Sequence, residues 1–273
     1  MAEKFDVLII GAGLSGIGAA CHLKRECPNK SFVILEGRDA MGGTWDLFRY
    51  PGIRSDSDMY TLGYNFKPWT NPKAIADGPS IRAYIHEAAR EYDVNRHIRY
   101  GHKVLKAAWS TPKAAWTIEA TNKAGEPVTI EANFIISCTG YYNYEAGYTP
   151  EFKGRERFKG QIIHPQLWPE NLDYSNKKVV IIGSGATAVT LLPSMTDKAA
   201  HVTMLQRSPS YVISVPQEDI ISNKLRKYLP EKVVYHMARV RNVGLSLGLY
   251  RYSRAKPAVV RRFLLSQVRR QLG

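Results

Sequence analysis

Phe5-Asp6-Val7-Leu8-Ile9-Ile10-Gly11-Ala12-Gly13-Leu14-Ser15-Gly16 is the stretch on which the fold turns. Residues 5–10 are too uniformly apolar for a half-exposed strand, and they suit a parallel sheet covered on both faces. Gly11, Gly13 and Gly16 form a turn, and a helix of about ten residues runs on to Arg25, where Pro28 and Asn29 stop it. Residues 31–35 read as a second strand, and Glu36 ends it, 20 residues past Gly16. Each part of this order has a physical use. The first glycine permits the tight turn, the second lets backbone approach a pyrophosphate, and the third lets helix and strand pack closely. The helix N-terminus faces the negative charge, while a carboxylate at Glu36 takes a ribose hydroxyl pair. A bare GxGxxG is weak evidence; with strand, helix and acid in place it is strong.

The pattern returns later. Residues 177–182 read as a strand, Gly183-Ser184-Gly185-Ala186-Thr187-Ala188 as the turn with a permitted alanine in third place, and a helix runs to Met195. The next strand, 201–206, ends in Gln206-Arg207-Ser208, without an acid. Arg207 suits a 2′-phosphate and points to NADP rather than NAD, with Ser208 as a further donor. Two dinucleotide sites, one acidic and one basic at the ribose, imply electron traffic between FAD and NADPH.

The segments between are less regular. Residues 37–72 lack periodicity and read as long binding loops, followed by an amphipathic helix over 80–92. Runs at 103–109, 116–121 and 128–131 predict a small antiparallel meander, with a separate buried strand at 134–138. The fold class is therefore α/β. It comprises two Rossmann-like dinucleotide-binding domains, the meander and a C-terminal helical segment, with the second domain incomplete. The segments are an FAD domain over 1–145, a linker over 146–176, the start of an NADPH domain over 177–217, and basic helices over 218–273.

Bulk composition narrows the classes. With 44% apolar and 23% charged residues, a packed core is expected. Cys21, Cys27 and Cys138 follow no CxxC spacing, so the reading is reduced thiols in the cytoplasm, with no disulfide framework and no metal site. The run from Val7 to Leu23 lacks charged side chains, but its four glycines and unsuitable flanks argue against a signal peptide or anchor. The net charge of +14 is concentrated: from Ser222 onward thirteen Lys or Arg face one acid, Glu231. Val260, Phe263, Leu264 and Val268 fall at helical spacing there, flanked by Arg261, Arg262, Arg269 and Arg270. The reading preferred is an amphipathic helix whose apolar positions await burial, with peripheral contact to an anionic membrane as the alternative. No recognition fold accompanies the charge, so nucleic acid is not the expected partner.

Phe158-Lys159-Gly160-Gln161-Ile162-Ile163-His164-Pro165-Gln166-Leu167-Trp168-Pro169 resembles the FxGxxxHxxxW fingerprint of Baeyer–Villiger monooxygenases, with Phe158, Gly160, His164 and Trp168 in the fixed positions. Residues 42–56, running from Gly42-Gly43-Thr44-Trp45 through Tyr50-Pro51-Gly52 to Asp56, resemble that family's GGxWxxxxYPGxxxD signature. The stretch from Trp45 to Asp58 is most similar to the actinobacterial and alkane-degrader branch.

The resemblance implies roles. Ser15 and Glu36 would hold the FAD phosphate and ribose. Thr44, Trp45, Asp46 and Leu47 would lie along the flavin, and Val104 would meet the adenine through its backbone. Arg54, Ser55 and Asp56 would line the approach of nicotinamide to flavin, with Asp56 the candidate catalytic acid. Gly183, Ser184, Gly185, Ala186, Thr187, Ala188 and Val189, with Arg207 and Ser208, would hold NADPH. His164 and Trp168 would act on domain motion. The chemistry implied is insertion of one oxygen atom from O2 into a small ketone, giving an ester or lactone through a flavin C4a-peroxide, or oxygenation of a sulfide. A charge-stabilising Arg, oriented by Asp56, is expected beyond Gly273, so the chain reads as part of a protein nearer twice its length. Competing readings are a sulfide- or amine-oxidising flavin monooxygenase and a non-catalytic nucleotide-binding remnant. A disulfide reductase would need a cysteine pair after the first unit, whereas Cys21 and Cys27 precede Glu36.

Overall fold

The computed structural model describes residues 3–208, 210–212 and 214–272. The chain divides into two compact units, one formed by Met1–Tyr50 with Gly78–Leu172, the other by Pro51–Asp77 with Asp173–Gly273. The expected segments were contiguous in sequence; these units are not. Hydrogen bonds from Ser55 N to Ala76 O, Met59 N to Ala74 O and Ile75 N to Gln217 O hold 51–77 within the second unit.

In the first unit β1 (Glu3–Ile10) leads through α1 (Leu14–Glu26) to β2 (Phe32–Leu35). A short α2 (Thr44–Leu47) and, after the chain passes through α3 (Met59–Leu62) of the second unit, α4 (Gly78–Glu91) follow. Then come β3 (Ile98–Arg99), β4 (Lys103–Ser110), β5 (Ala115–Thr121) and β6 (Pro127–Ser137). One six-stranded sheet results, in the order β3-β2-β1-β6-β5-β4. β1 pairs in parallel with β2 on one side and β6 on the other, while β6-β5-β4 is antiparallel.

β6 differs from expectation. The anticipated strands at 128–131 and 134–138 are one strand, because Ala132 pairs with Trp116 on one side and with Phe5 on the other, which carries the ladder through Asn133. Nor is the second half of β6 fully buried, since Phe134 is 61% exposed. Within 37–72 two short helices, α2 and α3, stand where only loops were expected. Asp58 initiates α3 by accepting from the Tyr60 and Thr61 amides.

Leu8, Val33, Leu35, Ile118, Ala120, Ile130 and Ala132 pack into a buried cluster that joins parallel sheet and meander. Burial of each large aliphatic side chain contributes about 1.5–3 kcal/mol, so the sheet anchors the unit. α1 and α4 pack against each other; Ile81, Ile85, Ala88 and Ala89 form the buried stripe of α4.

The second unit holds β7 (Lys178–Ile182), α5 (Ala186–Met195) and β8 (His201–Leu205), a parallel pair. α6 (Ile220–Leu225), α7 (Glu231–Ala255) and α8 (Pro257–Leu272) follow. Among the described residues this sheet has two strands, and Val180, Ile182 and Leu205 are exposed on it. Tyr60 of α3 and Tyr235 and Ala238 of α7 form a further buried cluster with Ala74. No helix among the described residues is long and apolar enough to cross a membrane.

Candidate functional site

The first glycine turn lies at the carboxyl ends of β1, β2 and β6. Gly11 has φ +100°, and a Cβ there would sit 2.5 Å from the Cys138 carbonyl oxygen; a Cβ on Gly16 would sit 1.9 Å from that of Gly11. Neither position admits a side chain without displacing backbone. Glu36, 6% exposed, is oriented by two amides: Ala12 N donates to one carboxylate oxygen at 2.7 Å and Arg38 N to the other at 2.9 Å. Each oxygen keeps acceptor capacity, which suits a pair of hydroxyl donors. The His102 amide donates to Glu36 O and that of Gly101 to Arg38 O, which brings the start of β4, with half-buried Val104, beside this acid. Ser15 is exposed in the first turn of α1.

The 42–50 loop closes over this turn. Gly42 N donates to Ala12 O at 2.9 Å, and a Cβ on Gly43 would lie 3.0 Å from the Gly13 Cα. Thr44 Oγ1 is 3.3 Å from the Tyr144 hydroxyl, and Trp45 and Leu47 are half-buried. Asp46 is 4% exposed and faces three guanidinium groups: Arg38 at 2.7 Å, Arg49 at 3.0 Å and Arg82 at 2.9 Å. Sequence reading placed Asp46 along the flavin but missed these arginines, since Arg82 comes from α4 and no spacing links it to the loop. His86, one turn further along α4, has a buried Nε2 without a hydrogen-bond partner. Burial, with Arg82 nearby, pushes its pKa below the ordinary histidine value.

In the second unit Gly183 has φ +135° and its amide donates to Leu205 O, while Gly185 caps α5. A Cβ on either would meet nothing within 4 Å, so the space over this turn is open. Ser184, Ala186, Thr187, Ala188 and Val189 lead into and along α5, with Ala188 buried; Arg207 and Ser208 are exposed just after β8.

The 51–58 stretch is in this unit as well. Gly52 has φ +75°, and a Cβ there would lie 1.9 Å from Ser194 Oγ on α5, so the chain passes close against that helix. The Arg54 backbone pairs antiparallel with that of Asp77, and Ser55 is buried, its hydroxyl bonded to the Ser57 backbone. Asp56 is exposed. The signature from Gly42 to Asp56 is thus divided, residues to Tyr50 in one unit and those from Pro51 in the other.

The residues 158–168 fold within the first unit. His164 Nδ1 accepts from Gln166 N at 3.2 Å and caps a 3-10 turn over Pro165–Leu167, which leaves the ring proton on Nε2. The ring leaves no room for a side chain on Gly147, and buried Gln166 donates to Asn143 O at 2.6 Å. A Cβ on Gly160 would strike the Phe158 ring at 2.6 Å, and Trp168 is half-buried.

A family signature described as pyridine nucleotide-disulphide oxidoreductase matches residues 8–244, which takes in both glycine turns. The chain belongs to this family. It is 55% identical over 273 residues to the FAD-containing monooxygenase EthA of Mycolicibacterium smegmatis, covering 100% of this chain and 55% of that protein. Among solved structures, an OTEMO complex with FAD and NADP aligns with a TM-score of 0.71 and 28% identity, over 87% of this chain and 44% of that one. An ε-caprolactone-bound cyclohexanone monooxygenase aligns with a TM-score of 0.73 and 26% identity, over 86% of this chain and 45% of that one. The chain thus spans about half the length of the relatives it matches. The family is named for disulphide chemistry, yet here all three cysteines are free: Cys21 is buried, its thiol pushed up to about 12 by burial, and burial raises Cys138 as well. Neither is a poised thiolate.

Proposed function

We propose that the chain supplies the FAD-binding unit and part of the NADPH-binding unit of a flavin monooxygenase. The activity proposed is oxygen insertion from O2 into a ketone, giving an ester or lactone, with oxygenation of a sulfide as the related second activity. The observation that carries the reading is Glu36, a buried carboxylate aimed by two amides at the mouth of a turn whose first and third glycines admit no side chain. That cradle fits an adenosine diphosphate moiety. The names of the similar proteins, an FAD-containing monooxygenase and a cyclohexanone monooxygenase, supply the reaction class.

FAD, when bound, supplies the redox centre that accepts hydride and activates oxygen. The chain's own residues bind and orient. Glu36 takes the ribose hydroxyls, and Ser15 at the start of α1 faces phosphate. Thr44, Trp45 and Leu47 wall the flavin, and the start of β4 at Val104 meets the adenine. The open turn at Gly183–Val189, with Arg207 and Ser208, takes the phosphorylated nicotinamide nucleotide. Asp56 orients a cation near the reacting atoms, and Arg54 and Ser55 shape its surroundings.

The test is to purify this chain and read bound flavin by absorbance, then to follow NADPH oxidation against ester formation from cyclic ketones and sulfoxide formation from aryl sulfides. Stoichiometric flavin supports the reading, whereas matched ketone turnover by this chain alone contradicts the assignment of only part of the NADPH-binding unit to it. Sulfoxide alone favours the sulfide-oxidising alternative, and absence of flavin with NADPH binding retained defeats the FAD assignment.

A second proposal concerns α7 and α8. Among the described residues Arg251, Lys256, Arg261, Arg262, Arg269 and Arg270 enter no ion pair, while Val259 and Phe263 are exposed nearby. Bases beside apolar side chains suit peripheral contact with an anionic bilayer. Salt-sensitive co-sedimentation with phosphatidylglycerol vesicles but not phosphatidylcholine vesicles is expected; equal recovery with both counts against it.

A further inference from the structure

We infer that Asp46 is a positioning residue for the flavin site, acting through Arg38, Arg49 and Arg82. The inference rests on the proposed FAD assignment and deepens it. Three separate pieces of chain meet at this carboxylate: Arg38 follows β2, Arg49 ends the loop that contains Asp46, and Arg82 projects from α4. The carboxylate is 4% exposed, while the arginine side chains are 26, 41 and 39% exposed, so the cations cover the acid and keep part of their own surface open.

The loop geometry shows what is being positioned. Arg38, whose amide donates to Glu36, also reaches the Gly43 carbonyl at 3.4 Å and lies over the Tyr144 ring at 5.9 Å. A Cβ on Gly42 would lie 2.9 Å from the Asp46 Cβ, and Gly43 abuts Gly13 on its other side. The Gly42–Gly43 backbone is therefore pressed between the first glycine turn and Asp46. Asp46 sets the seat of Thr44 and Trp45, and through Arg38 it shares a connection with the ribose-facing acid.

Charge makes this arrangement conditional. One carboxylate among three guanidinium groups leaves an excess of two positive charges, and the three cations repel one another once the acid is removed. Asp46→Asn keeps the shape and removes the charge. If Asp46 merely fills space, that variant binds FAD as the native chain does. If the cluster serves only as a source of positive charge, the variant binds FAD more tightly. If Asp46 positions, the arginines separate and the loop leaves Gly13.

FAD titrations of the native chain, Asp46→Asn, Arg82→Gln and the double variant decide the matter, read by flavin fluorescence quenching and by visible circular dichroism of the bound flavin. The expected result for Asp46→Asn is an affinity loss of about tenfold or more, the scale of a lost charge-assisted hydrogen bond, with an altered flavin dichroism band. Adding Arg82→Gln should restore part of both, because it relieves the repulsion; loss of a purely structural contact would not be rescued this way. Unchanged or tighter binding by Asp46→Asn, or additive losses in the double variant, overturns the inference while native FAD binding keeps the assignment beneath it. No FAD binding by the native chain overturns both. If Asp46→Asn does not fold, as judged by its apo melting curve, Arg82→Gln alone decides: an unchanged affinity and dichroism band overturns the inference.

Discussion

The amide of Ala12 donates to the Glu36 carboxylate at 2.7 Å, so the end of β2 is tied directly to the first glycine turn. Ala12 sits between the two leading glycines, and Glu36 lies 24 positions further on. A single hydrogen bond thus couples the residue proposed to face a ribose to the backbone proposed to face a pyrophosphate.

Glu36→Gln presents an NH2 to one of two backbone donors that now point at carboxylate oxygens. The same NH2 cannot accept from a ribose hydroxyl, and losing that charge-assisted bond to the nucleotide costs about 1.5–3 kcal/mol, roughly a 10- to 100-fold loss of FAD affinity. Isothermal titration with FAD checks this, and an affinity within a factor of two of native would contradict the ribose role.

Gly16→Ala places a methyl group 1.9 Å from the Gly11 carbonyl oxygen, inside the turn. Overpacking against backbone costs about 1–3 kcal/mol, and the shift needed also moves the Gly11 carbonyl. A lowered midpoint in urea and loss of FAD binding are expected together. A variant with native stability and affinity would mean that helix and strand are less closely seated than the geometry shows.

Ala132→Pro tests whether β6 acts as one strand. Ala132 is paired on both sides, with Trp116 and with Phe5. Proline in a doubly paired strand removes a ladder donor and costs about 3 kcal/mol or more. Hydrogen exchange should show lost protection in β1 and β5 alike; loss in the meander alone would indicate two independent strands.

Arg207→Ala should weaken NADPH binding by about tenfold or more and leave NADH binding nearly unchanged, because only the former carries a 2′-phosphate for the guanidinium. Competitive titration with the two nucleotides separates them. Equal losses would place Arg207 away from the phosphate.

The pH dependence of stability has a defined sign. Burial pushes both His86 and His97 below the ordinary histidine value of 6.5, with Arg82 adding to the shift at His86 and Lys24 at His97. The unfolded chain then binds protons that the folded chain refuses, so stability is full above pH 6.5 and falls as pH drops through the folded values. For Asp219, burial alone would raise the carboxyl, but Arg241 and the Ser222 amide and hydroxyl outweigh it and hold it below the ordinary 3.8. Its contribution is present above that value and is lost as the pH falls through the folded pKa. Melting curves from pH 8 to 3 should decline in two stages, and His86→Gln should flatten the first.

Much of this was legible in the chain itself. The glycine turns, the acid after β2 and the base after β8 are short-range patterns, because a strand–turn–helix that receives a pyrophosphate must carry its glycines and its ribose partner at nearly fixed offsets. The continuity of β6 was not legible from apolar pattern alone, since nothing local says that Ala132 must serve two neighbours at once.

What the sequence determined by itself was the α/β class, both glycine turns and the family likeness. These are local patterns, and in the first turn Gly11 and Gly16 leave no room for a side chain. Tertiary structure alone decided that Arg82 meets Asp46, that Gln166 reaches Asn143, and that one signature is divided between two units at Tyr50 and Pro51. Those facts depend on which distant segments the sheet and α4 bring together, and long-range packing of that kind leaves no periodicity along the chain.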